Sequence, residues 1–338
     1  MTQRAATAAL LSAILAATII LASSRGDVDR MTEGDGEIYQ YVAGNDVSGE
    51  YPDPTPFMQD PDMVHPVVVA RGTSLRYGRI GFPALIWLFS AGRPSAMPYV
   101  QPILIVLAAG AAGAATALLI PRARPLASLI PFLAPGFTVS VQGGFADAVA
   151  VPFALWAVVY ARRERWLPTG LMLAAAMLTR ENAGAVLVGL AVWLALRRRF
   201  GVIAGLALSV VPLLAWYGVV AWRYGHIPIL DPYLRVTTET IATPVVAIWR
   251  ALTDSTASGT LTALLHLALA LVAFSMWRRS MAGALAAAAG LQVLAAGRFS
   301  FVFEGEAFRQ FTFLQLFLLL ALMWTRWGAE REKQVESG

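Results

Sequence analysis

The sequence predicts an all-α fold: a polytopic transmembrane bundle of about ten spans, with a long acidic first loop on the extracytoplasmic side. Three observations predict it. Apolar residues make up 57% of the chain and charged residues 14%, against roughly 25% charged in an ordinary soluble domain. The apolar runs exceed the ~9–11 residues of a barrel strand, and they do not alternate with polar residues. The basic residues stand in short clusters between those runs, as topology signals do.

These features exclude a soluble enzyme, a disordered tail and a disulfide scaffold. The chain has no cysteine, so thiolate chemistry and Cys-ligated metals are excluded too. The net charge of +5 does not indicate nucleic acid, because its 26 basic residues are dispersed along the chain; a nucleic-acid binder gathers them on one soluble face.

The elements follow in order. Residues 5–22 form the first apolar run, preceded by Arg4. Its length favours a retained first span over a cleaved leader. Residues 24–79 are the longest polar stretch. Ten acids lie between Asp27 and Asp62 with only Arg30 among them, and Pro52, Pro54, Pro56, Pro61 and Pro66 break up its second half. One short helix is expected at 37–43. Residues 80–91 are apolar but too short to span, which predicts an interfacial helix. Further helices are expected at about 98–120, 125–140, 144–160, 167–180, 183–197, 201–222, 261–277, 281–297 and 308–326. Several are shorter than a span; such helices are tolerated where they line a cavity instead of facing lipid.

The clusters Arg122/Arg124, Arg162/Arg163/Arg165, Arg197/Arg198/Arg199 and Arg278/Arg279 alternate with loops that lack them. The positive-inside rule puts these clusters and both termini in the cytoplasm of a plasma-membrane protein. Residues 1–225 are expected to form one membrane module that includes the first outer loop. Residues 226–338 add C-terminal helices and a second outer loop. No soluble domain is expected.

The polar residues of the outer side then form a candidate site. In Gly34-Asp35-Gly36-Glu37-Ile38-Tyr39, glycines flank a carboxylate held close to the membrane surface. Such a group can act as general base toward a sugar or lipid hydroxyl; the alternative is a solvated acidic loop. Thr179-Arg180-Glu181-Asn182 interrupts an apolar stretch from Leu167 to Leu196. There, Arg180 can hold a phosphate while Glu181 fixes it in place, or the two form an ion pair that ties helices together. Asp147 follows Gln142-Gly143-Gly144-Phe145-Ala146 and reads first as a helix-capping acid. Arg76 and Arg79 suit a lipid phosphate, or anchor in headgroups beside Tyr77. His65, His226 and His266 have no metal spacing, so no metal site is assigned.

The order of these motifs resembles the GT-C superfamily of multi-spanning membrane glycosyltransferases, in particular small prokaryotic mannosyltransferase-like members. The resemblance rests on the first-loop Gly34–Tyr39 motif, then Leu75-Arg76-Tyr77-Gly78-Arg79-Ile80-Gly81-Phe82-Pro83, then Phe145-Ala146-Asp147 and Leu178-Thr179-Arg180-Glu181-Asn182. It covers roughly residues 5–225. It implies a donor sugar on a polyprenyl phosphate, a lipid or glycan acceptor, and direct inverting transfer on the outer face. Asp35 would be the base, with Glu37 as the other choice. Arg76, Arg79 and Arg180 would stabilise the leaving phosphate, and Tyr39, Asp147, Glu181 and Asn182 would complete the binding site. It implies no cofactor, although carboxylates alone do not distinguish a base from a ligand of a divalent cation. Two other classes remain: a lipid or polymer transporter, and a non-catalytic membrane subunit of an envelope glycan assembly complex. The polar residues gather at helix ends instead of mid-membrane depth, and no internal duplication is visible, which favours the enzyme. The sequence sets no oligomeric state.

Overall fold

A computed structural model describes residues 3–27, 30, 39–40, 42–43, 79–120, 128–224, 257–295 and 306–327. Most of these residues are helical, and none of them lies in a strand. The helices are α1 (Gln3–Ser24), α2 (Gly81–Phe89), α3 (Met97–Leu119), α4 (Ile130–Leu133), α5 (Pro135–Gln142), α6 (Ala146–Arg162) and α7 (Trp166–Thr179). They continue as α8 (Gly184–Leu196), α9 (Phe200–Ala207), α10 (Val211–Tyr224), α11 (Ala257–Met276), α12 (Met281–Ala295), α13 (Glu306–Gln310) and α14 (Thr312–Trp327). Tyr39, Gln40, Val42 and Ala43 also have helical backbone, where the sequence predicts a short helix.

Four helical stretches among the described residues are long and apolar enough to cross a membrane: Gln3–Ser24, Pro94–Leu119, Phe200–Trp222 and Ser258–Met276. Shorter apolar helices lie at Trp166–Thr179, Glu181–Leu196, Met281–Val293 and Thr312–Met323. The surface of the bundle is apolar: Leu10, Ile103, Leu171, Leu214, Leu261 and Leu271 are all more than half exposed. Side chains of this kind on the outside, with arginine and aspartate inside, invert the pattern of a soluble protein and suit a lipid solvent.

Three expected helices are broken, each for a visible reason. The helix predicted at 125–140 divides into α4 and α5 at Ala134, which is extended (φ −83°, ψ 107°). Pro135 follows it, and the ring of a proline pushes the preceding residue out of the helical region. The helix at 201–222 passes through a 3-10 turn, Leu208–Val210, between α9 and α10. Pro212 has no N–H for the Leu208 carbonyl, so the α-helical ladder cannot run through that point. The helix at 308–326 divides into α13 and α14 at Phe311. Thr312 Oγ1 donates to the Arg309 carbonyl at 2.7 Å, and Gln315 Nε2 donates to the Phe308 carbonyl at 3.2 Å. These side chains take carbonyls that regular helix would use.

The core helix is α6. Its Ala- and Val-rich sequence is buried from Ala146 to Ala161 except for a partly exposed stripe of Phe153, Trp156 and Tyr160, and small side chains let α3, α5 and α7 approach it closely. Gln101 near the start of α3 donates to the Gly144 carbonyl just before α6 (3.2 Å). Arg162 at the end of α6 donates to the Leu119 carbonyl at the end of α3 (2.8 Å). The two helices therefore run parallel. α7 follows α6 and runs back along it, and its last residue, Thr179, meets Gly81 at the start of α2. Gln292, near the end of α12, donates to the Asn182 carbonyl (2.6 Å). One end of the bundle thus collects residues 79–81, 144–147, 179–183 and 292. The arginine-rich turns after α6, α8 and α11 fall at the other end, where Arg199 and Glu164 form an exposed ion pair at 2.7 Å.

Glycines make the closest helix seams. A Cβ on Gly113 would meet the Ser12 side chain and the Ala8 carbonyl of α1, and one on Gly110 would stand 3.1 Å from the Ala9 carbonyl. Gly205 in α9 has nothing within 4 Å. Gly113→Ala is expected to lower stability by about 1–3 kcal/mol through overpacking. Gly205→Ala is expected to leave it unchanged or raise it by about 0.5–1 kcal/mol through helix propensity. Unfolding of the two purified variants in one detergent checks the contrast.

Candidate functional site

The site is built on a break in the chain between α7 and α8. Arg180 is extended (φ −152°, ψ 114°), and a 3-10 turn, Glu181–Ala183, leads into α8. In extended backbone successive side chains point to opposite sides. Arg180 and Glu181 therefore diverge, and each finds a partner elsewhere in the chain. This corrects the expectation that Glu181 fixes Arg180.

Glu181 holds Arg79. Arg79 Nε donates to Glu181 Oε2 at 3.0 Å and Nη2 donates to Oε1 at 2.9 Å, the parallel fork that suits a guanidinium and a carboxylate. Gly81 brings the two together. A Cβ there would stand 2.6 Å from Thr179 Oγ1, 2.8 Å from the Thr179 nitrogen and 2.9 Å from the Leu178 carbonyl carbon. Only a residue without a side chain lets the start of α2 lie on the end of α7, two residues after Arg79. Burial alone would raise the Glu181 pKa, but Arg79 and then Arg180 outweigh it and hold the carboxyl at about 2. Burial likewise works against the charge on Arg79, and the Glu181 carboxylate, with Tyr39 and Asp147 beyond it, raises Arg79 above the ordinary arginine value.

Arg180 meets Asp147. Its Nε lies 2.8 Å from Asp147 Oδ1, and both side chains are at most 2% exposed. Asp147 occupies the first turn of α6, where the helix dipole favours a carboxylate. The N-cap position itself is occupied by Phe145. Asp147 thus stands in the first turn, as expected of an acid at a helix start, and pairs with Arg180 besides. The pair is close but poorly aligned: Arg180 Nε, Arg180 Nη1 and Asp147 Oδ2 are buried with no hydrogen-bond partner among the described residues.

Tyr39 enters the same region from the first loop. It is fully buried, and its ring packs edge-on against Phe82 of α2 with centroids 5.3 Å apart. Its hydroxyl is a further buried polar atom without a hydrogen-bond partner among the described residues. The neighbouring Gln40 Nε2 donates to Gln101 Oε1 at 2.9 Å, which ties this segment to α3. Gly144, whose carbonyl receives Gln101, has φ +68°, a conformation that favours glycine in the turn before α6.

Five of the expected site residues, Tyr39, Arg79, Asp147, Arg180 and Glu181, thus converge at one end of the bundle. Asn182 stands in the same turn but faces the C-terminal helices: its Nδ2 reaches the Gln310 carbonyl at 3.4 Å, and its own carbonyl receives Gln292. Asp35, Glu37 and Arg76 lie outside the described residues. Sequence reading missed the amides that brace the site, Gln40, Gln101 and Gln292. Their signal was an isolated glutamine in or beside an apolar helix, which is costly without a partner. The Arg309 guanidinium, 4.3 Å over the Phe145 ring, also reaches this end of the bundle. Among the described residues no group of three or more His, Asp and Glu side chains is placed to hold a metal ion.

Two predictions follow from the Arg79–Glu181 pair. Removing one partner, as in Arg79→Ala, is expected to cost about 3–5 kcal/mol, and removing both less than the sum, because an unpaired buried charge is the expensive state. A double-mutant cycle on detergent-solubilised protein measures this. The Glu181 pKa is lower in the folded chain than its ordinary 4.5. Its contribution to stability is therefore complete above pH 4.5 and is lost as the pH falls through about 2. Wild type should lose melting temperature over that range more steeply than Glu181→Gln.

No curated protein and no solved structure matches the chain. A family model described as a predicted membrane protein family (DUF2079) matches residues 84–324. That span runs from within α2 to within α14 and includes Asp147, Arg180 and Glu181. On these grounds the chain belongs to the DUF2079 family of predicted membrane proteins.

Proposed function

We propose that this protein is a membrane glycosyltransferase of the GT-C type, moving a sugar from a polyprenyl-phosphate donor to a lipid or glycan acceptor at the outer face of the plasma membrane. The observation that carries this reading is the convergence of Tyr39, Arg79, Asp147, Arg180 and Glu181 at one end of an apolar bundle. The first loop, which holds Asp35, reaches that end through Tyr39. A lipid-borne substrate can approach such a place from the bilayer while its polar head meets fixed charges.

In the proposed reaction the Asp35 carboxylate takes the proton of the acceptor hydroxyl. The acceptor oxygen attacks the anomeric carbon, the bond from that carbon to the phosphate oxygen breaks, and polyprenyl phosphate leaves. The configuration at the anomeric carbon inverts. Glu37 is the alternative base. Arg76 and Arg79 are proposed to stabilise the charge that develops on the leaving phosphate. Glu181 orients Arg79 for this task by taking two of its three guanidinium nitrogens.

The test uses membranes that contain wild type or Asp35→Asn at equal expression, with a panel of polyprenyl-phosphate sugars and cell-envelope extract as the source of acceptor. Wild type is expected to consume a donor and release polyprenyl phosphate, with the variant slower by about 10²–10⁴-fold, the usual contribution of a general base. Equal turnover by both moves the base to Glu37. No turnover by wild type overturns the enzyme reading in favour of a transporter or a non-catalytic subunit. A reporter fused after Asp62 is expected to score extracytoplasmic; a cytoplasmic score removes the site from the outer face.

A further inference from the structure

We infer that the Tyr39 hydroxyl, the Asp147 carboxylate and the Arg180 guanidinium form a subsite for a neutral hydroxyl group of the transferred glycan, and not for the phosphate of the donor. This inference rests on the glycosyltransferase reading and narrows it.

Charge makes the first distinction. Arg79 is matched by Glu181 at 2.9 Å and Arg180 by Asp147 at 2.8 Å. The four formal charges cancel, so the surplus positive charge for the donor phosphate is that of Arg76, three residues before Arg79 in the chain, and not that of the Arg180–Asp147 pair. A phosphate placed against Arg180 would bring an uncompensated negative charge beside the Asp147 carboxylate, in a place where Asp147 and Arg180 are each 1% exposed. Like charges in a poorly solvated site repel strongly. A hydroxyl group adds no charge.

The hydrogen-bond inventory makes the second. Arg180 Nη1 carries two N–H donors, and neither has an acceptor; the Nε–H is close to Asp147 Oδ1 but badly aimed. Asp147 Oδ2 is an acceptor with no donor, and the Tyr39 hydroxyl, which can do either, does neither. These groups are more than nine-tenths buried, where a polar atom without a partner is expensive. They belong to one place. Oδ2 is on the carboxylate that touches Arg180, and Gln40, next to Tyr39, reaches through Gln101 to the Gly144 carbonyl, three residues before Asp147. A single hydroxyl can accept from the Arg180 N–H groups or from Tyr39 and donate to Asp147 Oδ2 at the same time. A phosphate diester can only accept, and would leave Oδ2 without a donor.

Tyr39 supplies the cleanest test, because its hydroxyl makes no hydrogen bond that a phenylalanine would lose. Full-length protein in nanodiscs is titrated with polyprenyl phosphate and with a panel of polyprenyl-phosphate hexoses. Wild type is expected to bind at least one hexose-bearing lipid more tightly than the bare lipid phosphate. Tyr39→Phe is expected to reduce that preference about five- to tenfold, the worth of one hydrogen bond, with unchanged affinity for the bare lipid and an equal or higher melting temperature without ligand. The charge-neutral double variant Asp147→Asn/Arg180→Gln is expected to erase the preference. If the variants weaken both lipids by the same factor, the subsite holds phosphate and the inference fails. If Tyr39→Phe changes neither affinity, or wild type binds bare and sugar-bearing lipids equally, the cluster is an internal structural ion pair and the inference fails while the glycosyltransferase reading stands. If wild type binds neither kind of lipid, the lipid-linked donor itself is wrong, and the subsite falls with it.

Discussion

The structure depends on one constraint: a charge at the end of an apolar bundle needs a partner. Arg79, Asp147 and Arg180 are buried in the protein and Glu181 nearly so, and they stand there as two matched pairs. The pairs connect separate parts of the chain. Arg79 leads into α2, Asp147 lies in α6, and Arg180 and Glu181 occupy the turn between α7 and α8. Helices with so little polar sequence have no hydrophobic force to choose one arrangement in lipid, since every apolar face is equally content there. The ion pairs choose it, because only one arrangement satisfies both.

Backbone geometry makes that arrangement reachable. The extended Arg180 sends two neighbouring charges in opposite directions, and Gly81 permits α2 to touch the backbone at Thr179. A bulkier residue at 81 would move Arg79 away from Glu181. Regular helix through 180 would place Arg180 and Glu181 about 100° apart on one helix, close to the same neighbours. The two pairs would then compete for one another's partners.

Much of the fold was legible in the sequence, and the reasons for success and failure are physical. Helices such as α1, α3 and α6 announce themselves by long apolar runs bounded by arginine, and their observed ends lie within a few residues of the expected ones. The divisions at Pro135 and near Pro212 were available in principle, because proline acts on its own neighbours. The division at Phe311 was not, because its cause is the capture of carbonyls by Thr312 and Gln315. The site was legible as a set of residues and illegible as a set of contacts. Arg180 beside Glu181 reads as a local pair, whereas the true partners, Asp147 and Arg79, are distant in sequence and chosen by tertiary packing. The amides were overlooked because a single glutamine in an apolar run carries no motif.

Those amides also explain how the C-terminal helices belong to the site. Gln315 Oε1 receives the Gly136 N–H of α5 at 2.9 Å, while its Nε2 faces His266 Nε2 of α11 at 3.0 Å and the Phe308 carbonyl. The Thr262 carbonyl can only accept, so His266 Nδ1, 2.8 Å from it, carries the ring proton and Nε2 is left to accept from Gln315. Every polar atom of the Gln315 side chain is used, and no charge is involved. Gln292 and the Gln310 carbonyl extend this neutral scaffold to Asn182 in the α7–α8 turn. The bundle therefore carries two kinds of polar contact at one end. Charged pairs join α2, α6 and the α7–α8 turn. Neutral amides tie that turn and α5 to the C-terminal helices without adding a charge that would compete for Arg79 or Arg180. A carboxylate in place of Gln292 would offer the turn a second acid, and the balance that keeps each arginine with its own partner would be lost.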